Sequence, residues 1–398
     1  MLTGAQYLES LNDGRATYFE GERVHDLPGH PLLGAAVQQV ADGYDWLASK
    51  AVDGRSPLAT VPSNPDELRH MVDVVHEAGM MAHVTYTSIM TLATAAGRIA
   101  DSAPKYIESI DARIEHAHAA DIRITQCITD AKGDRSRPPL KQDDPDAYVH
   151  VVDRSSDGVV VRGAKLHITG ASLGHELLTI PTKAMKAGEE DYAIAALIPV
   201  NAPGVKIINT TYATRHHDTR DFPISGTSPS PEGFVILDDV FVPNDRILLD
   251  GEVSLAAVFA HSLGLWERLG GLSGMADGAD LLVGFAQLIA ETNGLGGEAH
   301  IKEKISEMII HATVIRACLE AAIAHSEVGP FGASFPSELY TNAGKYTGAA
   351  NYHLMVRHLH DIAGGSILTA PSRADLDNPE TGPYVRKYMA TRDGVDGE

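Results

Sequence analysis

The segment Thr129-Asp130-Ala131-Lys132-Gly133-Asp134-Arg135 places a hydroxyl, two cations and two carboxylates around one glycine. A glycine there lets the backbone approach a ligand closely, and Arg135 can hold a phosphate through two parallel N–H donors. The same string also reads as a solvated polar loop in which Asp134 and Arg135 pair. A second candidate is Glu267, in Leu265-Trp266-Glu267-Arg268-Leu269. A carboxyl among such apolar neighbours is pushed toward its protonated form, which suits it to abstract a proton near neutral pH. The competing reading is a salt bridge to Arg268 or another neighbour.

Two histidine groups invite a metal, and neither has its spacing. His216-His217-Asp218 puts adjacent rings on opposite faces of a strand. In the group His353, His358, His360 and Asp361, residues 353 and 360 share a helical face, but no zinc pattern results. No metal site is therefore expected, and Arg357, His358 and His360 read as a basic cluster near a phosphate or a subunit contact. Cys127 reads as a small core residue, and His167 as a half-buried strand residue.

Three stretches must position these groups. From about Pro31 to Ala120 the period is helical. Asn64-Pro65-Asp66-Glu67 opens a helix with an N-cap, a proline at the first turn and two acids. Ile107, Ile110, Ile114 and Ala117 then share one face. From about Asp121 the period shortens. Tyr148–Val152 and Val159–Val161 flank the turn Arg154–Gly158, and further strands are expected at 177–180, 193–200, 205–209 and 234–237. From about Glu252 the helical period returns, with Ile301, Ile305, Met308, Ala312, Ile315 and Leu319 on one face. Helices are expected again over 336–363 and ending near Met389.

The whole chain narrows the class. Its 398 residues include 44% hydrophobic and 21% charged ones, ordinary for a folded protein. A net charge of -21 opposes nucleic-acid binding, which needs clustered Lys and Arg. Two cysteines cannot build a disulfide framework, so a cytoplasmic setting is expected. Neither a signal peptide nor a membrane span is expected.

Four segments carry a resemblance, in order along the chain: Ile128–Ser136, Val161–Gly170, Val235–Pro243 and Asp361-Ile362-Ala363-Gly364-Gly365-Ser366. They resemble the loop that opens the β-domain of the acyl-CoA dehydrogenase superfamily, its G-x-K-x-x-I-T-x-G strand, the segment leaving that domain, and the glycine-rich turn of the C-terminal helices. Leu2–Leu11, Gly21–Val24, Asp143–Asp146 and Pro243–Arg246 are similar to one family within it, the 4-hydroxyphenylacetate 3-hydroxylases and 4-hydroxybutyryl-CoA dehydratases. The resemblance spans essentially every residue.

It implies an α+β, acyl-CoA dehydrogenase-like fold. A helical domain would occupy residues 1–121, a central antiparallel β-barrel or sandwich 122–250, and a helical bundle 251–398, shorter than in family members that continue with more helix. It further implies FAD, with Gln126, Thr129, Lys132, Gly133, Asp134, Arg135 and Thr169 as contacts. Glu267 and Glu232 are the catalytic candidates; Glu232 matches a glutamate that the dehydratases use near their substrate, and also reads as a turn residue. Dehydratases hold an iron–sulfur cluster through three Cys and one His, but here residues 83–94 contain no cysteine, and Glu267 and Gly274 stand at the other two positions. No cluster is expected. The hydroxylases use an Arg, a Tyr and a His; this chain has Tyr86, no Arg in that stretch, and Gln126 in the His position.

The expected function is therefore a monooxygenase that takes reduced FAD from a separate flavin reductase and hydroxylates a phenol. The alternative is a cluster-free acyl-CoA dehydratase or isomerase in which Glu267 or Glu232 removes a proton from a thioester. A non-catalytic helical scaffold is the third reading. A homodimer or homotetramer is expected from the family.

Overall fold

Asn64 opens its helix as its side chain requires: its carboxamide oxygen accepts the Glu67 backbone N–H, and Pro65 follows with its φ already helical. The same local rules recur along the chain. A computed structural model describes residues 1–398 except 216–217, 227–228, 330–331, 393–394, 396–398 and the side chains of 80–83. The first expected histidine pair thus lies outside the described residues.

The longer helices are α1 (Gly4–Ser10), α2 (Gly34–Ser49), α3 (Pro65–Ala78), α4 (Met80–Ile99), α5 (Ile107–Ala120), α6 (Ala256–Thr292), α7 (Ala299–Ala324) and α8 (Glu338–Ala363). The strands are β1 (Thr17–Phe19), β2 (Glu22–Arg23), β3 (Ile124–Cys127), β4 (His150–Arg154), β5 (Gly158–Thr169), β6 (Glu176–Thr179), β7 (Ile194–Pro199), β8 (Val205–Thr211), β9 (Pro231–Pro243) and β10 (Ile247–Asp250). They form two sheets, in the orders β2-β1-β8-β9-β5-β4 and β10-β7-β6-β3. The ladders are mainly antiparallel, but β1–β8 and β3–β6 run parallel. The second of these pairs starts from β3, the strand that follows α5.

The chain divides into two compact units. The first holds residues 1–215, 224–267 and 328–333; the second holds 216–223, 268–327 and 334–398. In the first, α4 residues such as Leu92 and Ile99 pack with the apolar faces of β3, β5, β7 and β9 in one core. In the second, α7 buries Ile301, Met308, Ala312, Ile315 and Leu319 of the face read from the sequence and leaves its sixth member, Ile305, half-buried. Gly344 lets α8 lie close there: a Cβ at that position would stand 2.6 Å from the Cβ of Cys318.

Two local expectations are corrected. His167 is exposed at φ +58° rather than half-buried, because β5 slips register against β9 between Lys165 and Ile168. The extra residue of that bulge leaves the ladder and turns outward. The basic cluster read from Arg357, His358 and His360 is split, since the first and last are exposed and His358 is not. It is buried, with Nε2 2.7 Å from a Glu307 carboxylate oxygen, while Asp361 pairs with Lys304.

An acid-sensitive latch ties α1 to the β-sheet region. The Arg123 backbone N–H donates to Nδ1 of His175, which fixes the Nε2–H tautomer facing Ser10 Oγ at 2.8 Å. Burial, with Arg15 and Arg123 adding to it, lowers the imidazole pKa to about 4. The unfolded chain therefore takes up a proton near pH 6.5 that the folded chain refuses until about pH 4. Stability from this group is complete above pH 6.5 and falls by about 3 kcal/mol as the pH drops to 4. Urea unfolding of wild type and His175→Asn at both pH values checks this; the variant should show a smaller acid loss. Among the described residues, no helix is long and apolar enough to cross a membrane.

Candidate active site

The inward face of α4 carries hydroxyls at helical spacing. Thr87, Ser88, Thr91 and Thr94 are all buried. Ser88, Thr91 and Thr94 each donate to a backbone carbonyl one turn earlier, the usual way a helix interior accommodates such residues. Thr87 can reach the Val84 carbonyl at 3.2 Å, but a carboxylate is nearer: its Oγ1 is 2.8 Å from Glu267 Oε1. Here α4 meets the start of α6. Tyr86 lies edge-to-face with Trp266, with ring centroids 6.0 Å apart. The Trp266 indole N–H donates to Thr94 Oγ1 at 2.8 Å.

The third member comes from β3. Gln126 Nε2 donates to Thr87 Oγ1 at 2.9 Å, so a carboxamide, a hydroxyl and a carboxylate form one line: Gln126, Thr87, Glu267. Two residues singled out in the sequence thus meet through a third that was not. The signal for Thr87 was present, since Thr87, Thr91 and Thr94 share a helical face within the stretch where the dehydratases would supply thiolates. Arg268, the expected alternative partner of Glu267, is exposed. Beside this line, the Tyr86 hydroxyl is buried without a hydrogen-bond partner among the described residues, and burial raises its pKa. It stays a protonated donor, and an unpaired buried hydroxyl is a natural place for a ligand oxygen. Cys127, next to Gln126, is fully buried and its thiol is pushed up to about 12, so it is a core residue and not a thiolate.

The other carboxylate is held separately. Glu232 lies in β9 opposite Thr169 of β5, and Thr169 Oγ1 donates to it at 2.9 Å. It is a strand residue rather than a turn residue, paired with another residue of the expected set.

The polar loop after β3 is shaped by backbone and by Gln142. Lys132 (φ +69°) and Gly133 (φ +48°) turn left-handed, and the Lys132 N–H donates to the Ala147 carbonyl. Gln142 clamps the turn: its Oε1 accepts the Asp134 N–H, and its Nε2 donates to the carbonyls of Asp134 and Arg137. A Cβ on residue 133 would stand 2.3 Å from that Oε1, so any larger residue would push the Gln142 clamp aside and would also be strained at φ +48°. Asp134 pairs with Arg137 at 3.2 Å, not with Arg135. Arg135 is exposed and makes no ion pair among the described residues. Thr129, half-buried, accepts the Leu166 N–H through its carbonyl.

Beneath the loop lies a buried ion pair. Lys165 Nζ is 2.8 Å from Asp130 Oδ1, with both side chains 2% exposed. Lys165 also donates to the carbonyls of Ile128 and Ile180, and the Val149 N–H donates to Asp130. Burial raises the Asp130 pKa while Lys165 opposes it, and the hydrogen bonds around the pair keep both groups satisfied. This anchor fixes where the loop leaves the sheet. Among the described residues, no cluster of three or more His, Cys, Asp or Glu could hold a metal ion.

Residues 3–249 match the family model described as 4-hydroxyphenylacetate 3-hydroxylase N terminal, and residues 256–398 match its C-terminal counterpart. The chain is 27% identical to the 4-hydroxybutyryl-CoA dehydratase/vinylacetyl-CoA-Delta-isomerase of Clostridium aminobutyricum, over 98% of this chain and 86% of that one. It is also 27% identical to the 4-hydroxyphenylacetate 3-monooxygenase oxygenase component of Thermus thermophilus, over 97% and 84%. The crystal structure of a 4-hydroxyphenylacetate 3-monooxygenase oxygenase component complexed with FAD superposes with a TM-score of 0.90 at 25% identity, covering 99% of this chain and 86% of that one.

Proposed function

The chain belongs to the 4-hydroxyphenylacetate 3-hydroxylase family and has its acyl-CoA dehydrogenase-like fold, and from that premise we propose that it is the oxygenase of a two-component monooxygenase that hydroxylates a phenol. The observation that carries this over dehydration is the face of α4. Where a cluster would need thiolates, this helix presents Thr87, Thr91 and Thr94, and the only cysteines of the chain, Cys127 and Cys318, lie elsewhere.

The residues present fit a flavin. Thr129 and Thr169 supply polar groups beside the sheet, and Lys132, Gly133 and Asp134 form a turn with an accessible backbone. Arg135 brings a cation with no competing partner among the described residues. FAD, reduced by a separate reductase, would supply the electrons for activating oxygen. The chain's own residues then act on the substrate. Its phenolic O–H donates to Thr87 Oγ1 while the Thr87 hydroxyl donates to Glu267, so the proton leaves along a hydrogen-bonded line and the ring becomes electron-rich. Gln126 holds Thr87 in register, and Tyr86 donates to the resulting phenolate oxygen.

Arg135→Ala should weaken FAD affinity about ten- to a hundredfold, the loss of one charge-assisted contact to phosphate. Fluorescence titration with FAD reads this directly. The reading as a whole is tested by mixing the protein with reduced FAD under anaerobic conditions, adding oxygen and a panel of phenols, and assaying for catechols. Catechol formation dependent on the protein supports it; turnover of 4-hydroxybutyryl-CoA without phenol hydroxylation would replace it with the dehydratase reading. A protein that binds no flavin would point to a scaffold.

Self-association is part of the same proposal. On α6, Leu281, Phe285 and Leu288 recur at one face while remaining 53%, 39% and 56% exposed, and such an apolar stripe suits a homo-oligomeric contact. Phe285→Glu should lower the mass seen by light scattering to that of one chain.

A further inference from the structure

The pair Thr169 and Glu232 is not part of the line at Glu267, and the proton transfer proposed above does not use it. Thr169 Oγ1 is 2.9 and 3.1 Å from the two Glu232 carboxylate oxygens. An ionised carboxylate only accepts hydrogen bonds, whereas a threonine hydroxyl has one proton and two lone pairs. The single Thr169 proton is therefore committed to Glu232. What remains on Oγ1 for a ligand is acceptor capacity alone.

The sheet holds this polarity in place. The two residues are direct cross-strand partners of β5 and β9. On one side, the Gly170 N–H donates to the Pro231 carbonyl at 2.8 Å. On the other, Ile168 opposes Gly233, which is packed so closely that a Cβ there would stand 2.4 Å from the Ala171 Cβ. Both backbones are thus fixed, and a β-branched side chain has little χ1 freedom. Thr169 and Glu232 are each half-buried rather than sealed in the core, as a pair that meets a ligand must be.

An acceptor-only hydroxyl distinguishes the two states of a flavin. Reduction turns the ring nitrogen N5 from an acceptor into an N–H donor. Toward the oxidised ring Thr169 would set one lone pair against another; toward the reduced ring it accepts a hydrogen bond. We infer that Glu232 is a positioning residue that orients the Thr169 hydroxyl so that Thr169 binds reduced FAD and not oxidised FAD, an assignment that rests on Thr169 being a flavin contact. The Glu232 charge itself works against an anionic reduced ring, so the test changes Thr169 at constant charge.

Thr169→Val keeps the shape of the side chain and removes the hydroxyl. Fluorescence titration gives the affinity for oxidised FAD, and the reduction potential of bound FAD is measured anaerobically against a reference dye. Together they give the affinity for the reduced form by linkage. The variant should bind reduced FAD about tenfold more weakly, the loss of one hydrogen bond, and oxidised FAD no more weakly than wild type. The potential then falls by about 30 mV for the two-electron couple. A Glu232→Leu background releases the Thr169 proton, so Thr169 can donate or accept, and Thr169→Val should there weaken both forms alike. With Glu232 in place, equal losses in both forms, a loss confined to oxidised FAD, or no loss in either would each overturn the assignment. So would a loss that stays confined to reduced FAD in the Glu232→Leu background. A wild-type chain that binds FAD in neither state overturns the flavin reading and this assignment with it, a result distinct from FAD bound at an unchanged potential.

Discussion

Glu267→Gln should lower turnover of a phenol by about 10²–10⁴-fold, the usual effect of removing a positioned general base. The substitution keeps an oxygen for Thr87 to bond, so the 2.8 Å contact and the helix pairing around it survive. What is lost is the ability to take the substrate proton. Flavin affinity should not change, because the isosteric amide leaves Thr87 and Gln126 in place and Arg135, Thr129 and Thr169 lie on other segments. A split between kcat and KM separates this role from a structural one: the variant should lose kcat while its KM for the phenol stays close to that of wild type. Thr87→Val should behave similarly but retain residual activity at high pH, where the substrate ionises unaided. Full turnover by both variants would make the line Gln126, Thr87, Glu267 a packing feature.

Asp130→Ala should destabilise the first unit by about 3–5 kcal/mol. The change leaves the Lys165 ammonium, 2% exposed, without its carboxylate, and also removes the acceptor for the Val149 N–H. Two carbonyls, those of Ile128 and Ile180, cannot neutralise a buried charge. Replacing both partners, as in Asp130→Leu with Lys165→Met, should recover most of the loss, since an apolar pair of similar volume needs no solvation. Urea unfolding of the single and double variants measures the difference. An Asp130→Ala protein as stable as wild type would mean that water reaches Lys165. The single variant should also weaken FAD binding, because the loop carrying Arg135 leaves the sheet at this pair.

Much of the architecture follows from local rules. The Asn64-Pro65 start, the buried face of α7 and the strand pair around 154–158 depend on side-chain period and cap chemistry within a few residues, and these are legible in the chain. The family motifs are equally local, and they single out Gln126, Thr169, Glu232 and Glu267 without reference to any contact. What each of them touches is not legible. Thr87 meets Glu267 across 180 positions of sequence and Gln126 across 39. Such distances are closed by the packing of a whole core, in which α4 is set against the sheet by apolar surfaces that no spacing rule records. Adjacent charges mislead for the same reason: Asp134 pairs with Arg137 and not Arg135, and His358 with Glu307 and not its neighbours. The sequence by itself determined which segments would be helix or strand and which residue types were available for chemistry. Only the tertiary structure decided their partners, because a buried polar group takes whichever donor or acceptor the fold delivers within hydrogen-bond reach.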